Sequence, residues 1–346
     1  MKVVYTLRHR HHHPRAEVEA GALQEPFEHP GRAEIIRAAL AADDAFEFVA
    51  PDDWGPAPIE AVHHLGLVEF LETAWELYQR ANGPTHDVVP DVFAMPGLRE
   101  GMEPAGEPTS ISARLGWWCY ETTTPLTQGT YDAARSSVDV ALTAAATVLG
   151  GDRVAYGLCR PPGHHASRSL YGGYCFFNNA AVVANHLAAT TAGKVAVLDV
   201  DYHHGNGTQQ IFYDRGDVQF VSLHGDPKRA YPYLTGYRDE TGTGAGAGAT
   251  SNFPLPERTD DDAYLAALTA ACAEISASGA ELLVVSLGLD TYVGDPISDL
   301  ALTPDGFESC GALVGELGLP TVVLQEGGYA IDELGENVRR WLSGIA

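Results

Sequence analysis

The sequence predicts a doubly wound α/β fold, because short Val- and Leu-rich runs alternate with Ala-rich amphipathic stretches and four of those runs end in polar residues. The runs are Val3–Leu7, Val154–Cys159, Val195–Val200, Val218–Leu223, Leu282–Leu287 and Thr321–Gln325. Their nearly unbroken apolar character suits strands buried on both faces, as in a parallel sheet. Helices are expected over residues 31–42, 63–80, 130–149, 178–191, 260–278, 304–317 and 333–344. Thr303-Pro304-Asp305 is a helix start, with a hydroxyl cap and proline at the first helical position. Residues 82–125 carry several Gly and Pro without clean periodicity and read as a long surface loop region of the kind that shapes a pocket mouth. Thr241–Thr250 (TGTGAGAGAT) lacks a strict GxGxxG, a Walker lysine and a strand running into it, so it reads as a flexible or tightly turned loop rather than a dinucleotide site.

With 346 residues, 45% of them apolar, the chain has material for a large core, and one domain over residues 1–346 is favoured over two. A formal charge of −25 argues against a nucleic-acid footprint. No stretch approaches the roughly 18–20 apolar residues of a membrane helix. The start MKVVYTLRHRHHHP turns basic after its apolar residues, the reverse of a secretory signal, so a cytoplasmic location is expected. Cys119, Cys159, Cys175, Cys272 and Cys310 are odd in number and contain no CxxC pair, which fits reduced, buried thiols. His11, His12 and His13 follow a strand-like VVYTL and read as native loop residues.

The segment VAVLDVDYHHGNG places Asp199, Asp201 and His203 two apart, and side chains so spaced in extended chain face one way. Other runs end in Arg160-Pro-Pro-Gly-His164-His165, Gly288-Leu-Asp290 and Glu326-Gly-Gly-Tyr329. Taken alone, an Asp after a strand is commonly a helix cap and a buried His an ordinary core residue. Ligands of open α/β sheets gather beyond the strands' carboxyl ends, however, and two Asp with one His leave a fourth position for water, the arrangement of a catalytic zinc. Spacing does not decide which Asp binds.

The motifs RPPGHHA, GGYCFFNNAA, LDVDYHHGNGTQQIFY, SLHGDP, GTGAGAG, VVSLGLDT and EGGY, in this order over almost the whole chain, resemble the histone deacetylase superfamily, and within it the bacterial acetylpolyamine amidohydrolases. The resemblance implies an arginase–deacetylase fold, a single domain with a central mostly parallel sheet flanked by helices. It implies a zinc-dependent deacetylase of linear amides, C–N bonds other than peptide bonds, with the metal on Asp201, His203 and Asp290. Those ligands also suit Fe(II) or Co(II). By the same match His165 is the general base and acid, His164 its electrostatic partner paired with Asp199, and Tyr329 the oxyanion donor. Asn206 stands behind His165, where many relatives have an acid. A structural potassium ion is implied at Asp199, Ser222 and Leu223 with backbone oxygens of Asp201 and His203, and a second monovalent site near Phe212, Arg215 and Val218. Tyr174 and Tyr231 match channel-lining positions; the alternative for both is ordinary core packing.

The expected substrate is a small acylated amine such as an acetylpolyamine. Ser112 and Thr123 stand where characterised polyamine enzymes carry acids, and Arg8, Arg10, Arg15 and Arg114 lie near the expected mouth, so a second reading is an N-acyl amine with a neutral or acidic tail. Glu121 or Glu103 would restore acidity with a small shift of register. Residues 82–125, with Trp117 and Trp118, resemble the loop that builds a homodimer contact and narrows the channel. Two other functions compete. A ureohydrolase would need a second metal and a further carboxylate where Tyr292 stands, and a catalytically silent binding protein would not need the full ligand and histidine set.

Overall fold

The computed structural model describes residues 1–346 and centres on eight strands that all run parallel. In chain order the strands are β1 (Lys2–Val4), β2 (Glu17–Glu19), β3 (Ala22–Gln24), β4 (Glu47–Val49), β5 (Val154–Gly157), β6 (Val195–Asp199), β7 (Val218–Gly225), β8 (Thr250–Leu255), β9 (Leu282–Leu287) and β10 (Thr321–Gln325). The central sheet has the order β4-β1-β5-β10-β9-β6-β7-β8, and β2 and β3 form a separate hairpin. Alternate residues of each central strand enter different cores. Val195, Val197, Val284 and Val322 pack on one face, whereas Ala196, Leu198, Val285 and Val323 pack on the other. Burial of both faces explains the unbroken apolar runs.

The helices are α1 (Gly31–Ala41), α2 (Ala57–Glu60), α3 (Leu65–Asn82), α4 (Ile111–Trp118), α5 (Thr130–Leu149), α6 (Asn179–Thr191), α7 (Asn206–Phe212), α8 (Asp261–Ser278), α9 (Pro304–Gly315) and α10 (Ile331–Ile345). Polar side chains start several of them: Asn178 accepts from Ala181 N–H at 2.8 Å, Asp260 from Ala263 N–H at 3.1 Å, and Thr303 from Gly306 N–H at 3.2 Å. None is long and apolar enough to cross a membrane.

Several features differ from the sequence expectation, among them the short elements α2, α7 and the β2–β3 hairpin, which were not expected. Residues 82–125 are not all loop, because α4 folds within them. Trp118 is accordingly a core residue, 5% exposed, with its indole N–H donating to Glu107 Oε1 at 2.7 Å. Strands β4 and β8 extend the sheet at its edges; β8 contains Pro254, a residue that sheets tolerate at edges. The first strand stops at Val4, and Leu7–His11 form a 3₁₀ turn. In that region His9 and His12 are buried, and their carbonyls accept from Arg160 Nη1 at 2.6 and 2.8 Å. All five cysteines are free and buried. The glycine-rich 241–250 segment is a tight turn packed on the end of α7, Thr243 N–H donating to Tyr213 O at 2.7 Å.

Candidate active site

Strands β5, β10, β9 and β6 are adjacent in the sheet, and their carboxyl ends carry the His164-His165, Tyr329, Asp290 and Asp201/His203 segments to one place. Ligand atoms of Asp201, His203 and Asp290 all lie within 4.8 Å of one another. His203 Nδ1 is 3.0 Å from Asp290 Oδ2 and 3.3 Å from Asp201 Oδ1. The backbone turns in closely behind them. Gly327 N–H donates to Asp201 Oδ2 at 2.8 Å, and a Cβ at Gly327 would stand 2.4 Å from Asp290 Oδ2.

This donor set fits a divalent cation on electrostatic grounds. Burial and the Asp201 charge push the Asp290 carboxyl well above the usual carboxylate range. Asp201, against the pull of burial, is held well below the usual carboxylate range by the charges of His164 and His203. A cation between the two buried carboxylates would remove the opposition to ionising both. Two carboxylates and an imidazole suit zinc.

Asp199 turns away from this cluster. Its Oδ2 lies 3.0 Å from His164 Nδ1. Burial alone would lower the His164 pKa, but Asp199 and Asp201 outweigh it and raise it to about 10, so the ring is charged. His165 is the opposite case. Burial above all, with the charge of His164 beside it, pushes it well below its ordinary value, so it is neutral. Its Nδ1 is 2.7 Å from Asn206 Oδ1, while Asn206 Nδ2 donates to the His165 carbonyl at 3.4 Å. That amide orientation makes Nδ1 the protonated nitrogen and leaves a lone pair on Nε2. Burial keeps the Tyr329 phenol protonated, with Arg32 opposing the shift from 4.6 Å over the ring.

His203 of this cluster, with His165 and Tyr329, lines a channel of about 610 Å³ whose walls include Tyr174 and Tyr231, while Asp201 and Asp290 lie buried behind it. Tyr231 stands edge-on to His165, with centroids 5.0 Å apart, and donates to Tyr120 Oη at 2.7 Å. Tyr174 lies across from Tyr329 at 5.9 Å and donates to Glu17 Oε1 at 3.3 Å. Tyr174 and Tyr231 are both among the residues that line this cavity. Tyr120, Ile297 and the hairpin residues Val18 and Glu19 also line it. Nothing local in the sequence marks these, since they come from loops whose meeting depends on the whole fold.

Three comparisons bear on ancestry. The histone deacetylase domain family matches residues 26–345. The chain belongs to the histone deacetylase family. Within that family, acetylpolyamine amidohydrolase 2 of Pseudomonas aeruginosa is 45% identical over 345 residues, covering 100% of this chain and 98% of that protein. The acetylpolyamine amidohydrolase of Mycoplana ramosa is 43% identical with all of both chains covered. A crystal structure of an acetylpolyamine aminohydrolase from Burkholderia pseudomallei superposes with a TM-score of 0.91 at 39% identity, covering 100% of this chain and 98% of that one.

For this deacetylase-family chain the charges at the mouth differ from the expectation. Arg8 pairs with Asp132, Arg10 with Glu34 at 2.9 Å and Arg114 with Glu107 at 2.6 Å, and neither these nor Arg15 line the channel. The lining arginine, Arg229, pairs with Asp299 at 2.8 Å. Ser112 lies apart on α4, against Asn82 at 3.4 Å. Thr123 lines the channel beside Glu121, whose carboxylate accepts from its hydroxyl at 2.5 Å and from Gly173 N–H at 3.0 Å. Acidity at the mouth thus comes from Glu121 and Glu19, with Glu17 buried behind Tyr174.

Proposed function

We propose that this chain is a zinc-dependent amidohydrolase that removes the acetyl group of acetylpolyamines. The supporting observation is the meeting of Asp201, His203 and Asp290 with a neutral His165, a charged His164 and a protonated Tyr329 at the floor of one tyrosine-lined channel. Asp201, His203 and Asp290 would hold a zinc ion there, which would supply Lewis acidity for the amide carbonyl and for a bound water. His165 Nε2 takes a proton from the attacking water and returns it to the leaving amine nitrogen. His164 keeps its own proton, donating Nδ1–H to Asp199 at 3.0 Å, and places a positive charge beside the developing oxyanion. Tyr329 donates its hydroxyl to the same oxygen. Tyr174 and Tyr231 form the walls for the thin acyl-amine chain.

A cationic tail is the reading that the mouth favours. Glu19 and Glu121 face it without an unpaired arginine among the lining residues, so the alternative of an acidic or neutral tail loses the basic set it rested on. The grouping of three ligating side chains, Asp201, His203 and Asp290, supports a single metal rather than the two of a ureohydrolase. With zinc restored, acetylputrescine and acetylspermidine are expected to be cleaved faster than N-acetyl amino acids, with one zinc per chain and activity lost on chelation. Faster turnover of N-acetyl amino acids would overturn the substrate class, and full activity in metal-free protein would overturn the chemistry.

A potassium ion at Asp199, Ser222 and Leu223 is part of the same proposal. Asp199 and Ser222 are register neighbours across β6 and β7, and the buried carbonyls of Asp201 and His203 accept no hydrogen bond within the chain. Such orphaned carbonyls fit a monovalent cation. The homodimer is proposed on the exposed apolar groove formed by Val92, Met95, Leu98 and Met102 beside Trp117. Sedimentation is expected to give a dimer that Leu98→Glu with Met102→Glu dissociates; a native protein that is monomeric at micromolar concentration would refute it.

A further inference from the structure

We infer that Asp295 is a positioning residue for Tyr329, holding the backbone of the oxyanion donor from the loop that begins at Asp290. The inference rests on the role proposed for Tyr329. Asp295 is 8% exposed, and its Oδ2 accepts the N–H groups of Tyr329 at 2.7 Å and of Ala330 at 3.3 Å. Its other oxygen, Oδ1, accepts Ile297 N–H at 3.1 Å, and its own N–H donates to Tyr292 O at 3.0 Å. Asp295 therefore ties the loop after Asp290, through its backbone, to the tyrosine and to Ile297 of the channel wall, through its carboxylate.

The tyrosine needs such a tie because of what precedes it. Gln325 ends β10, Ile331 starts α10, and the intervening backbone includes Gly327 and Gly328, the latter at φ 118°. Glycines leave the direction of the next residue weakly determined. The carbonyl side of the turn is held by Arg32, whose Nε and Nη2 donate to Gly328 O and Glu326 O at 2.7 and 2.8 Å, and by Gln325 Nε2, which donates to Gly327 O at 2.8 Å. On the N–H side, Asp201 takes Gly327, whereas the N–H of Tyr329 itself goes to Asp295. Release of that peptide would let the phenol at the end of the side chain drift from the oxygen it serves. A misplacement of about 1 Å in a catalytic group can cost about 10²-fold in rate.

A double-mutant cycle separates positioning from general structural support. Asp295→Ala is expected to lower kcat by about 10- to 100-fold while KM changes little and zinc per chain stays at the wild-type value. Asp295→Asn, which keeps one acceptor oxygen and the side-chain volume, is expected to fall between the two and to melt near wild type. In a Tyr329→Phe background, adding Asp295→Ala or Asp295→Asn is expected to change kcat little further. Equal losses in the wild-type and Tyr329→Phe backgrounds, or a loss that tracks zinc content, would overturn the inference while leaving the role of Tyr329 intact. A kcat unaffected by Tyr329→Phe would overturn both.

Discussion

Tyr329→Phe is expected to reduce kcat by about 10²- to 10³-fold, equivalent to about 3–4 kcal/mol of transition-state stabilisation, with KM and zinc content near wild type. The phenol is suited to this because burial keeps it protonated, so its O–H is available across the neutral pH range. Arg32 over the ring, Phe27 edge-on at 6.4 Å and Tyr174 at 5.9 Å fix the ring itself, so removal of one oxygen leaves the packing in place. The hydrogen bond gains most as charge develops on the carbonyl oxygen, so the loss falls on kcat rather than on substrate affinity. A variant with raised KM and unchanged kcat would show that the hydroxyl binds substrate instead.

Glu28→Gln is expected to destabilise the protein by about 3–5 kcal/mol at neutral pH, the usual result of breaking a buried ion pair from one side. Glu28 is 1% exposed and holds Arg160 through both oxygens at 2.8 and 2.9 Å and Arg32 at 3.1 Å. Without the carboxylate, two buried guanidinium groups face each other uncompensated. Burial alone would raise the Glu28 pKa, yet the two arginines bring it down from 4.5 to about 2. A carboxyl depressed on folding stabilises the native state above its unfolded value and loses that contribution as pH falls through the folded value. The window therefore runs from about pH 4.5 down to about 2, a span equivalent to about 3–4 kcal/mol at about 1.4 kcal/mol per pH unit. Urea unfolding midpoints should fall through this window in the wild type and show a smaller drop in Glu28→Gln. A variant as stable as the wild type at pH 7 would contradict the account. Because Arg32 also holds the Gly328 and Glu326 carbonyls, the same substitution is expected to lower kcat through Tyr329.

Much of the centre was legible because parallel strands buried on both faces must be apolar along their length, and because a site at their carboxyl ends concentrates polar residues there. The weaker elements were not. Helix α7 begins Asn206-Gly-Thr, a poor helix sequence, and β4 is only three residues long, so neither carries a periodic signal. Trp118 read as part of a long loop region, and the structure instead places it at the end of α4, packed in the core. Arg8, Arg10 and Arg114 looked like part of a basic rim, and only their pairing with Asp132, Glu34 and Glu107, in the case of Arg8 more than a hundred residues away, shows that they are engaged elsewhere.

The Asp199-Asp201-His203 spacing marks the division most clearly. By itself the sequence determined that two carboxylates and an imidazole follow a buried strand, with matching groups after three others. It left open which carboxylate serves which partner, because period-two alternation holds only in extended chain and β6 ends at Asp199. Tertiary structure decided the rest. Gly205, where a Cβ would stand 2.0 Å from Asp199 Oδ2, lets that carboxylate reach His164, while the turn beyond the strand carries Asp201 and His203 across to meet Asp290. Side-chain direction after a strand end is set by contacts from distant segments, and those exist only once the chain has folded.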